Sequence, residues 1–278
     1  MQYSVLMSVY EKEQPEFLVE AIDSILGQTK KTNNFVIVCD GPLNYKLDNV
    51  LNRYKNKYPD IFCILCLKKN MGLGIALNEG LKICKNELVA RMDSDDISVS
   101  NRIELQMGCF NRDNDLSICG GYIAEFEDDV DRIVSIRKVP CTHEAISKWA
   151  KRRNPMNHMT VMFKKSSVIS AGGYKKMDLA EDYYLWVRML LAKDKMVNLN
   201  KILVKARIGN GMYQRRGGIE YARKIIQIQR TFLDLGFINR TDYYINIVIR
   251  TVNSLLPNSV REKVYKNILR KNSKSSLK

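Results

Sequence analysis

Residues 87–96 read Glu-Leu-Val-Ala-Arg-Met-Asp-Ser-Asp-Asp, so an apolar segment runs directly into a run of carboxylates. The segment 87–92 has the length and composition of a buried β-strand. In sheets built from parallel strands and helices, ligands bind beyond the carboxyl ends of the strands. The stretch therefore predicts both a strand of such a sheet and a binding site at its end.

Strand and helix patterns alternate four times within the first 92 residues. The segments between the predicted strands carry apolar residues at helical spacing, which predicts an α/β fold with a mainly parallel sheet flanked by helices. Further along the chain the pattern is looser, with a hairpin, one more strand and two helices. The strands are predicted at 3–9, 35–39, 61–67, 87–92, 116–124, 132–139 and 160–163, and the later helices at 143–152 and 181–192.

The carboxylate run has the pattern of a metal site. In extended backbone Asp93 and Asp95 point to the same side, because strand side chains alternate. Two neighbouring carboxylates repel each other unless a cation or a helix N-terminus compensates them. Oxygen ligands suit Mg²⁺ or Mn²⁺, which often share one or two carboxylates with substrate phosphates. Helix capping by Asp95 or Asp96 is the alternative, but it explains only one carboxylate of the three.

Polar residues also follow the other predicted strands. Tyr10 follows the first strand, and Asp40 follows the second in front of a Gly-Pro turn, where an Asp is commonly a turn former. The loop 69–74 after the third strand carries two glycines, which let the backbone approach a phosphate or pack tightly. The third glycine of a dinucleotide fingerprint is missing, because position 77 is Leu, and the chain has no P-loop motif.

Composition narrows the class of protein. The 278 residues, 45% of them apolar, suffice for one sizeable α/β domain plus a modest appendage. The sequence shows no apolar stretch long enough for a transmembrane helix and no signal-peptide pattern at its start. Seven cysteines without framework spacing favour reduced thiols in a cytosol.

The basic charge is concentrated near the C-terminus. Of the net +15, residues 201–278 contribute 17 Lys and Arg against 4 acids. From residue 217 onward the pattern is mainly helical, with apolar stripes at 245–256 and 260–268. A near-neutral body with a basic end predicts an anionic partner, which is a set of phosphates, a membrane surface or nucleic acid, unless the face is merely solvated.

Several motifs, taken in order, resemble glycosyltransferase family 2, whose members are inverting enzymes of the GT-A nucleotide-sugar-binding fold. The resemblance covers about residues 3–220. The matching stretches are 8–10 (Ser-Val-Tyr), 38–41 (Val-Cys-Asp-Gly), 70–78 (Asn-Met-Gly-Leu-Gly-Ile-Ala-Leu-Asn), 92–96 (Met-Asp-Ser-Asp-Asp), 158–163 (His-Met-Thr-Val-Met-Phe), 171–174 (Ala-Gly-Gly-Tyr) and 180–186 (Ala-Glu-Asp-Tyr-Tyr-Leu-Trp). Cys39 stands where the family often has a first acid.

The resemblance implies a donor site for a UDP-sugar. Tyr10 and Asp40 are expected to contact the uracil side, with Asn70 in the same donor set. Asp93 would bind ribose or sugar, and Asp95 would coordinate Mn²⁺ or Mg²⁺ on the diphosphate, where a bound cation neutralises the leaving group.

The resemblance also implies a general base. Asp182, with Glu181 beside it, would take the proton of the acceptor hydroxyl, although acids at a helix start are also favoured by the helix dipole.

Arg215 and Arg216 precede two glycines and are expected to close over the diphosphate, unless they form a solvated basic loop. His158 is expected either to orient a substrate or to pack as a polar residue.

Together these features predict a catalytic domain at 1–215, with a nucleotide-binding half at about 1–97 and an acceptor half at about 98–215. Residues 216–278 would form a basic amphipathic helical segment. The predicted reaction moves a sugar from a UDP-sugar to a lipid-diphosphate-linked sugar, as in surface-polysaccharide synthesis. The segment 216–278 would dock the cytoplasmic enzyme on the anionic inner face of the cell membrane.

Two other functions share some of these features. A nucleotidyltransferase also needs carboxylates and a nucleotide cleft, but it would normally carry a glycine-rich basic loop near the first strand, and residues 9–12 offer none. A nucleic-acid-binding protein would use the basic end, but that segment carries no recognition motif, so no nucleic-acid partner is expected.

Overall fold

The structure, a computed structural model, describes residues 1–209, 218–255 and 271–272. Strands and helices alternate through its first part, as the sequence predicts. Their bounds are β1 (Tyr3–Val9), α1 (Pro15–Leu26), β2 (Asn34–Cys39), α2 (Tyr45–Lys57), β3 (Phe62–Cys66), α3 (Leu73–Ile83), β4 (Leu88–Met92), the short β5 (Ile97–Ser98) and α4 (Arg102–Arg112).

The second part of the chain mixes longer strands with helices. Its elements are β6 (Leu116–Phe126), β7 (Ile133–Arg137), α5 (His143–Ala150), a 3₁₀ turn (His158–Thr160), β8 (Met162–Lys164), α6 (Lys165–Ser170), α7 (Glu181–Leu191), β9 (Lys195–Arg207), α8 (Ile219–Asp234), α9 (Arg240–Leu255) and β10 (Lys271–Asn272).

One mixed sheet joins these strands in the order β10-β7-β6-β8-β4-β1-β2-β3, with β9 paired to both β5 and β6. Strands β4, β1, β2 and β3 are parallel, so their carboxyl ends meet at one edge. Antiparallel β8 lies between β4 and β6 and ends the parallel part. The carboxylate run follows β4 next to this change of direction.

Helices cover both faces of the sheet because its strands are apolar on both sides. On β1, Val5 and Met7 pack with helices α1, α2 and α4, whereas Leu6 packs with α3, α5, α6 and α7. Trp186 of α7 is fully buried in this second layer. The predicted α/β fold with a sheet flanked by helices is therefore confirmed, but the sheet is mixed: its parallel pairings join β4, β1, β2 and β3, and β6 with β9.

The sequence interpretation left α4, α6, the 3₁₀ turn, β5 and β9 unassigned. Helix α4 is amphipathic, but it begins with Arg102, a charged residue that is fully buried and donates to the Arg91 carbonyl oxygen at 2.7 Å. Strand β9 has polar and charged residues at exposed positions, which masks its strand pattern. Strand β5 is only two residues long and forms because it pairs with β9.

The described part of the C-terminal segment is mainly helical, as predicted, but it also contains a short strand. Helix α8 packs its apolar residues Ile225, Ile228 and Phe232 against Tyr183 and Val187 of α7. Lys271 and Asn272 form strand β10, which pairs antiparallel with the edge strand β7, because an edge strand leaves backbone groups available. Within the described ranges no helix is long and apolar enough to cross a membrane.

Candidate active site

A cavity of about 420 Å³ opens at the carboxyl ends of the parallel strands. It brings together five residues that the sequence analysis selected from four separate segments. These are Tyr10, Asp40, Asn70, Asp93 and Asp95. Glu13 and Ser94 also line it, and the Ser94 hydroxyl donates to the Glu13 carboxylate. Glu13 was missed because an acid in the polar loop 10–14 carries no distinguishing pattern.

Asp40 organises the loop that forms one wall of the cavity. Its carboxylate accepts from the backbone N–H groups of Met71 at 2.7 Å and Gly72 at 3.0 Å. Gly41 has φ 92°, and a Cβ there would lie 2.7 Å from the Asn70 nitrogen, so only glycine fits this close approach. Asp40 therefore has both roles that the sequence suggests: it stabilises a turn through its hydrogen bonds, and it lines the cavity.

The acids of the carboxylate run lie together. One carboxylate oxygen from each of Asp93, Asp95 and Asp96 lies within 4.8 Å of the others. Asp96 is 2% exposed, one of its oxygens accepts from the Arg207 backbone N–H at 2.9 Å, and its other oxygen has no hydrogen-bond partner among the described residues. Arg91, fully buried in β4, forms an ion pair with Asp93.

Burial and mutual repulsion raise the pKa values of two of these acids, Asp95 and Asp96. Burial, followed by the charges of Asp93 and Glu13, raises the pKa of Asp95 to about 7. Burial and the charges of Asp93 and Asp95 also raise the pKa of Asp96 well above its usual value. Acids held in this unfavourable state are stabilised by a bound cation, and three oxygen donors suit Mg²⁺ or Mn²⁺. The residues present therefore fit a divalent metal.

A second pair of acids, Glu181 and Asp182, begins helix α7. The side chain of Glu181 lies beside α3, because a Cβ on Gly74 would lie 3.6 Å from the Glu181 Cβ. Helix α3 starts at Leu73, which lines the cavity, so Glu181 lies close to the cavity although neither acid lines it.

Asp182 is held by hydrogen bonds on both oxygens. The Asn154 amide donates to Oδ2 at 2.7 Å, and the Tyr183 N–H donates to Oδ1 at 2.7 Å. Burial nevertheless raises the pKa of Asp182, and burial with the charge of Asp182 raises the pKa of Glu181. A carboxylate with a raised pKa accepts a proton more readily than an ordinary one, which suits a general base.

His158 contacts protein side chains and does not line the cavity. Its Nε2 lies 3.0 Å from the Tyr174 hydroxyl, and its ring packs edge-on against Trp186. Burial, with the charge of Arg91, lowers the pKa of His158 well below its usual value, so the ring is neutral. Asn78 in turn holds Tyr174 by accepting from its N–H at 2.8 Å and donating to its C=O at 2.6 Å.

Arg91 is the residue that connects both acid groups. Its positive charge lowers the pKa values of Asp95 and Asp96 on one side and of Glu181 and Asp182 on the other, against the stronger effect of burial. The sequence analysis did not select it. The available signal was a charged residue in the middle of an otherwise apolar strand, where burial without a partner is costly.

Two predicted site residues, Arg215 and Arg216, lie outside the described residues. The arrangement that is described offers a nucleotide-sized cavity, three acids suited to a metal and two acids beyond them that suit proton transfer. These are the parts that group transfer from a nucleoside diphosphate requires.

Comparison with known proteins agrees with this arrangement. The chain is 41% identical to an uncharacterized glycosyltransferase of Haemophilus influenzae, covering 98% of this chain and all of the relative. It is 38% identical to the UDP-Gal:alpha-D-GlcNAc-diphosphoundecaprenol beta-1,3-galactosyltransferase of Escherichia coli, covering 97% of each chain. It is 37% identical to the amylovoran biosynthesis glycosyltransferase AmsE of Erwinia amylovora, covering 95% of this chain and 97% of the relative.

Solved glycosyltransferase structures share the fold. The mannosyltransferase PcManGT from Pyrobaculum calidifontis, in complex with GDP-Man and Mn²⁺, superposes with a TM-score of 0.65 at 14% identity, over 94% of this chain and 71% of that one. S. aureus TarS 1–349, in complex with UDP-GlcNAc, gives 0.60 at 16% identity, over 95% and 70%. The fold is thus of the GT-A type. The sequence model described as Glycosyl transferase family 2 matches residues 4–170, and the chain belongs to this family of glycosyltransferases.

Proposed function

We propose that the protein is an inverting glycosyltransferase that moves a sugar from a UDP-sugar to a lipid-diphosphate-linked sugar during synthesis of a surface polysaccharide. The observation that carries the proposal is the cavity in which Tyr10, Asp40, Asn70, Asp93 and Asp95 meet. The 38% identity to the Escherichia coli galactosyltransferase, over 97% of both chains, supports the choice of donor and acceptor class.

In this proposal the cavity takes the nucleotide. Tyr10, 44% exposed at the cavity wall, offers its ring to the uracil, and Asp40 retains acceptor capacity for the N–H edge of the base. Asn70 lies in the loop that Gly41 holds close, where it contributes to donor binding. Asp93, fixed by Arg91, points its remaining oxygen toward ribose or the donor sugar.

Asp95 would hold the Mn²⁺ or Mg²⁺, with Asp93 and Asp96 beside it. When bound, the metal neutralises negative charge on the diphosphate leaving group. The residues of the chain have a separate task, which is to fix these acids. Arg91 fixes Asp93, and the backbone of Arg207 fixes Asp96.

Asp182 serves as the general base for the acceptor hydroxyl, and Glu181 assists at the same helix start. The raised pKa of Asp182 and its hydrogen bond from Asn154 support this assignment. A base on the acceptor side, opposite the leaving diphosphate, gives attack from the far side of the donor carbon and therefore inversion. His158 orients the acceptor region through Tyr174, and Arg215 and Arg216 bind the diphosphate.

The proposal divides the chain into a catalytic domain at 1–215, with nucleotide and acceptor halves at about 1–97 and 98–215, and a segment at 216–278. The enzyme works in the cytoplasm at the inner face of the cell membrane, where the basic segment is attracted to anionic lipids. The net charge of the last 78 residues, 17 basic against 4 acidic, supports this electrostatic association.

A UDP-release assay tests the proposal. The full-length protein is incubated with Mn²⁺, a panel of UDP-sugars that includes UDP-galactose, and a synthetic lipid-diphosphate sugar. We expect acceptor-dependent UDP release with one donor, and loss of that release when a chelator is added. Equal release with and without the acceptor, or full activity in the chelator, would contradict the proposal. No observation favours either alternative function.

A further inference from the structure

Helix α9 directs one stripe of polar residues toward the protein. Asp242, Asn246, Arg250 and Ser254 recur at every fourth position and so form one stripe along the helix. Asn246 is 3% exposed and Ser254 is 1% exposed. A surface helix of a globular protein normally shows the opposite arrangement, with the apolar stripe inside.

The polar stripe is anchored by specific bonds. The Asn246 amide donates to the Lys151 carbonyl at 2.8 Å and to Gln229 Oε1 at 2.7 Å. Asp242 pairs with Arg152 at 2.8 Å, and Arg250 donates to the Arg152 carbonyl at 2.5 Å. These contacts from both ends of the stripe fix the rotation of α9 about its axis.

The opposite side of α9 is apolar and faces away from the protein. The exposed fractions are 61% for Val248 and Ile249, 57% for Val252, 65% for Tyr244 and 39% for Ile245. These residues occupy neighbouring positions on successive turns, so they form one continuous face. A contiguous exposed apolar face of this kind marks an interaction surface.

We infer that this apolar face of α9 inserts into the acyl-chain boundary of an anionic lipid bilayer. The inference rests on the proposed function for its biological setting, since a lipid-linked acceptor lies at a membrane. It differs from the electrostatic association proposed above, because a buried apolar face anchors the protein without charge.

Charge complementarity favours lipid as the occupant. The 23 residues that follow α9, 256–278, contain seven Lys and Arg and one acid, a net charge of +6. An apolar helix face joined to basic residues is the composition of an interfacial anchor on anionic lipid. A second copy of the chain would instead bring two such basic stretches together, which is unfavourable.

A second cavity beside α9 fits the same partner. It has a volume of about 410 Å³ and is lined by Lys148, Lys151, Leu190, Leu191 and Phe237, among others. The carbonyl oxygen of Lys151 is the acceptor that holds Asn246, so the cavity adjoins the helix. Ammonium groups next to apolar walls suit a lipid phosphate and the start of its chain.

The test uses flotation of the full chain with vesicles of phosphatidylglycerol and phosphatidylcholine, at low salt and at about 1 M salt, where the Debye length is about 3 Å. We expect the unmodified protein to float at both salt concentrations. The variant Ile245→Ser/Val248→Ser/Ile249→Ser/Val252→Ser should partition about a hundredfold more weakly, because four partly inserted apolar side chains are lost. The single variant Val248→Glu should show a smaller loss in the same direction.

Matched controls replace exposed apolar residues on other helices. Tyr45→Ser and Ile169→Ser, at 70% and 55% exposure, should float like the unmodified protein. Unchanged transfer to a short-chain, water-soluble acceptor by the fourfold variant separates this inference from the proposed function. Loss of transfer by the unmodified protein would overturn the proposed function alone, because flotation does not depend on turnover.

Three results would overturn the inference. The first is unaltered flotation of the fourfold variant at high salt. The second is a dimer of the unmodified protein that this variant dissociates in light scattering, which would identify a second copy as the occupant. The third is stronger flotation after deletion of residues 256–278, which would show that this stretch covers the face.

Discussion

At the scale of single residues, Arg91 is the cation around which the acids of the site are arranged. It pairs with Asp93 and its charge acts on Asp95, Asp96, Glu181 and Asp182. Its Nε and Nη1 atoms have no hydrogen-bond partner among the described residues. Arg91 therefore acts on these acids through its charge and through its ion pair with Asp93. A divalent metal held by Asp93, Asp95 and Asp96 would supply positive charge to three of these acids. Arg91 and such a metal would therefore offset the same repulsion.

This arrangement predicts that removing Arg91 makes the fold depend on metal. Losing one partner of a buried ion pair costs about 3–5 kcal/mol, and the 28% exposure of Asp93 reduces this cost. In Arg91→Gln we expect a lower melting temperature in chelator and partial recovery in Mn²⁺, measured by differential scanning fluorimetry. Arg91→Lys keeps the charge, so its melting temperature in chelator should lie between those of the unmodified protein and Arg91→Gln. A decrease of the same size with and without Mn²⁺ would indicate a purely structural role.

Asp95 is the residue whose loss should most directly remove metal-dependent turnover. We expect Asp95→Ala to leave the fold intact, because the side chain lines the cavity at the strand ends. Stabilisation of the leaving group by a metal is worth several kcal/mol, so transfer should fall roughly a thousandfold. UDP release measures this, and circular dichroism checks the fold. Retained activity in the presence of chelator would show that the ligand assignment is wrong.

Asp182 should show opposite effects on activity and stability. Burial raises its pKa, so the folded protein binds more protons than the unfolded chain between the two pKa values, and the charged form destabilises the fold at neutral pH. Asp182→Asn should therefore lower turnover about 10²–10⁴-fold and raise the melting temperature at pH 7. The gain should shrink as the pH falls, because the native carboxyl then becomes neutral. Near-normal turnover would require another base.

The pH profile of the unmodified enzyme follows from the same shift. A base with a raised pKa loses its proton-accepting form at a higher pH than an ordinary aspartate does. We expect the acid limb of kcat/KM to begin above the usual aspartate range and to be absent in the residual activity of Asp182→Asn. An acid limb that is unchanged in this variant would assign the titration to another group.

At the scale of elements, the loop after β2 and the loop before α3 form one unit. Gly41→Ala would place a Cβ 2.7 Å from the Asn70 nitrogen at a φ of 92°, so the cavity wall must shift. A misplacement of this size should lower kcat/KM for the donor up to about a hundredfold. Gly209→Ala, where a Cβ would meet no atom of the described residues within 4 Å and φ is not positive, is the control. Equal donor kinetics for the two variants would contradict this account of the wall.

The element scale also explains which parts of the fold the sequence predicts. Strands β1 to β4 are short and apolar on both faces, so they are recognisable from their sequence whichever elements pack against them. Strand β9 depends on pairing with β5 and β6. Its sequence includes the charged residues Lys201 and Lys205, so the strand is not recognisable from its apolar pattern alone. Helix α4 begins with the buried Arg102, which donates to the Arg91 carbonyl on β4 and to the Val161 carbonyl after the 3₁₀ turn, 11 and 59 residues away along the chain.

The candidate site shows the same division. The residues that follow strands, Tyr10, Asp40, Asn70, Asp93 and Asp95, are predictable because parallel strands end at one edge. Asn154 and Glu13 lie in loops, and their partners Asp182 and Ser94 are 28 and 81 residues away along the chain. Only the folded chain brings such pairs together.

At the scale of the whole molecule, α9 is the last helix of the described residues, and it exposes an apolar face while it buries a polar stripe. Helix α8 packs against α7, and α9 packs against α8 with its polar stripe facing inward. The pair α8 and α9, which carries the proposed membrane face, is thus packed against α7, the helix that contains the proposed base. This connection orients the acceptor side of the site relative to the proposed membrane surface.

We propose transfer from a UDP-sugar with inversion at the donor carbon, using Asp182 as the base. The NMR spectrum of the product formed from a ¹³C-labelled α-linked UDP-hexose and a short-chain sugar-diphosphate lipid in the presence of Mn²⁺ reports the stereochemistry of this transfer. We expect a single new anomeric signal of a β-linkage, which should be at least a hundredfold weaker with Asp182→Asn at equal reaction time. An α-linked product, or free sugar released without transfer, would contradict this proposal.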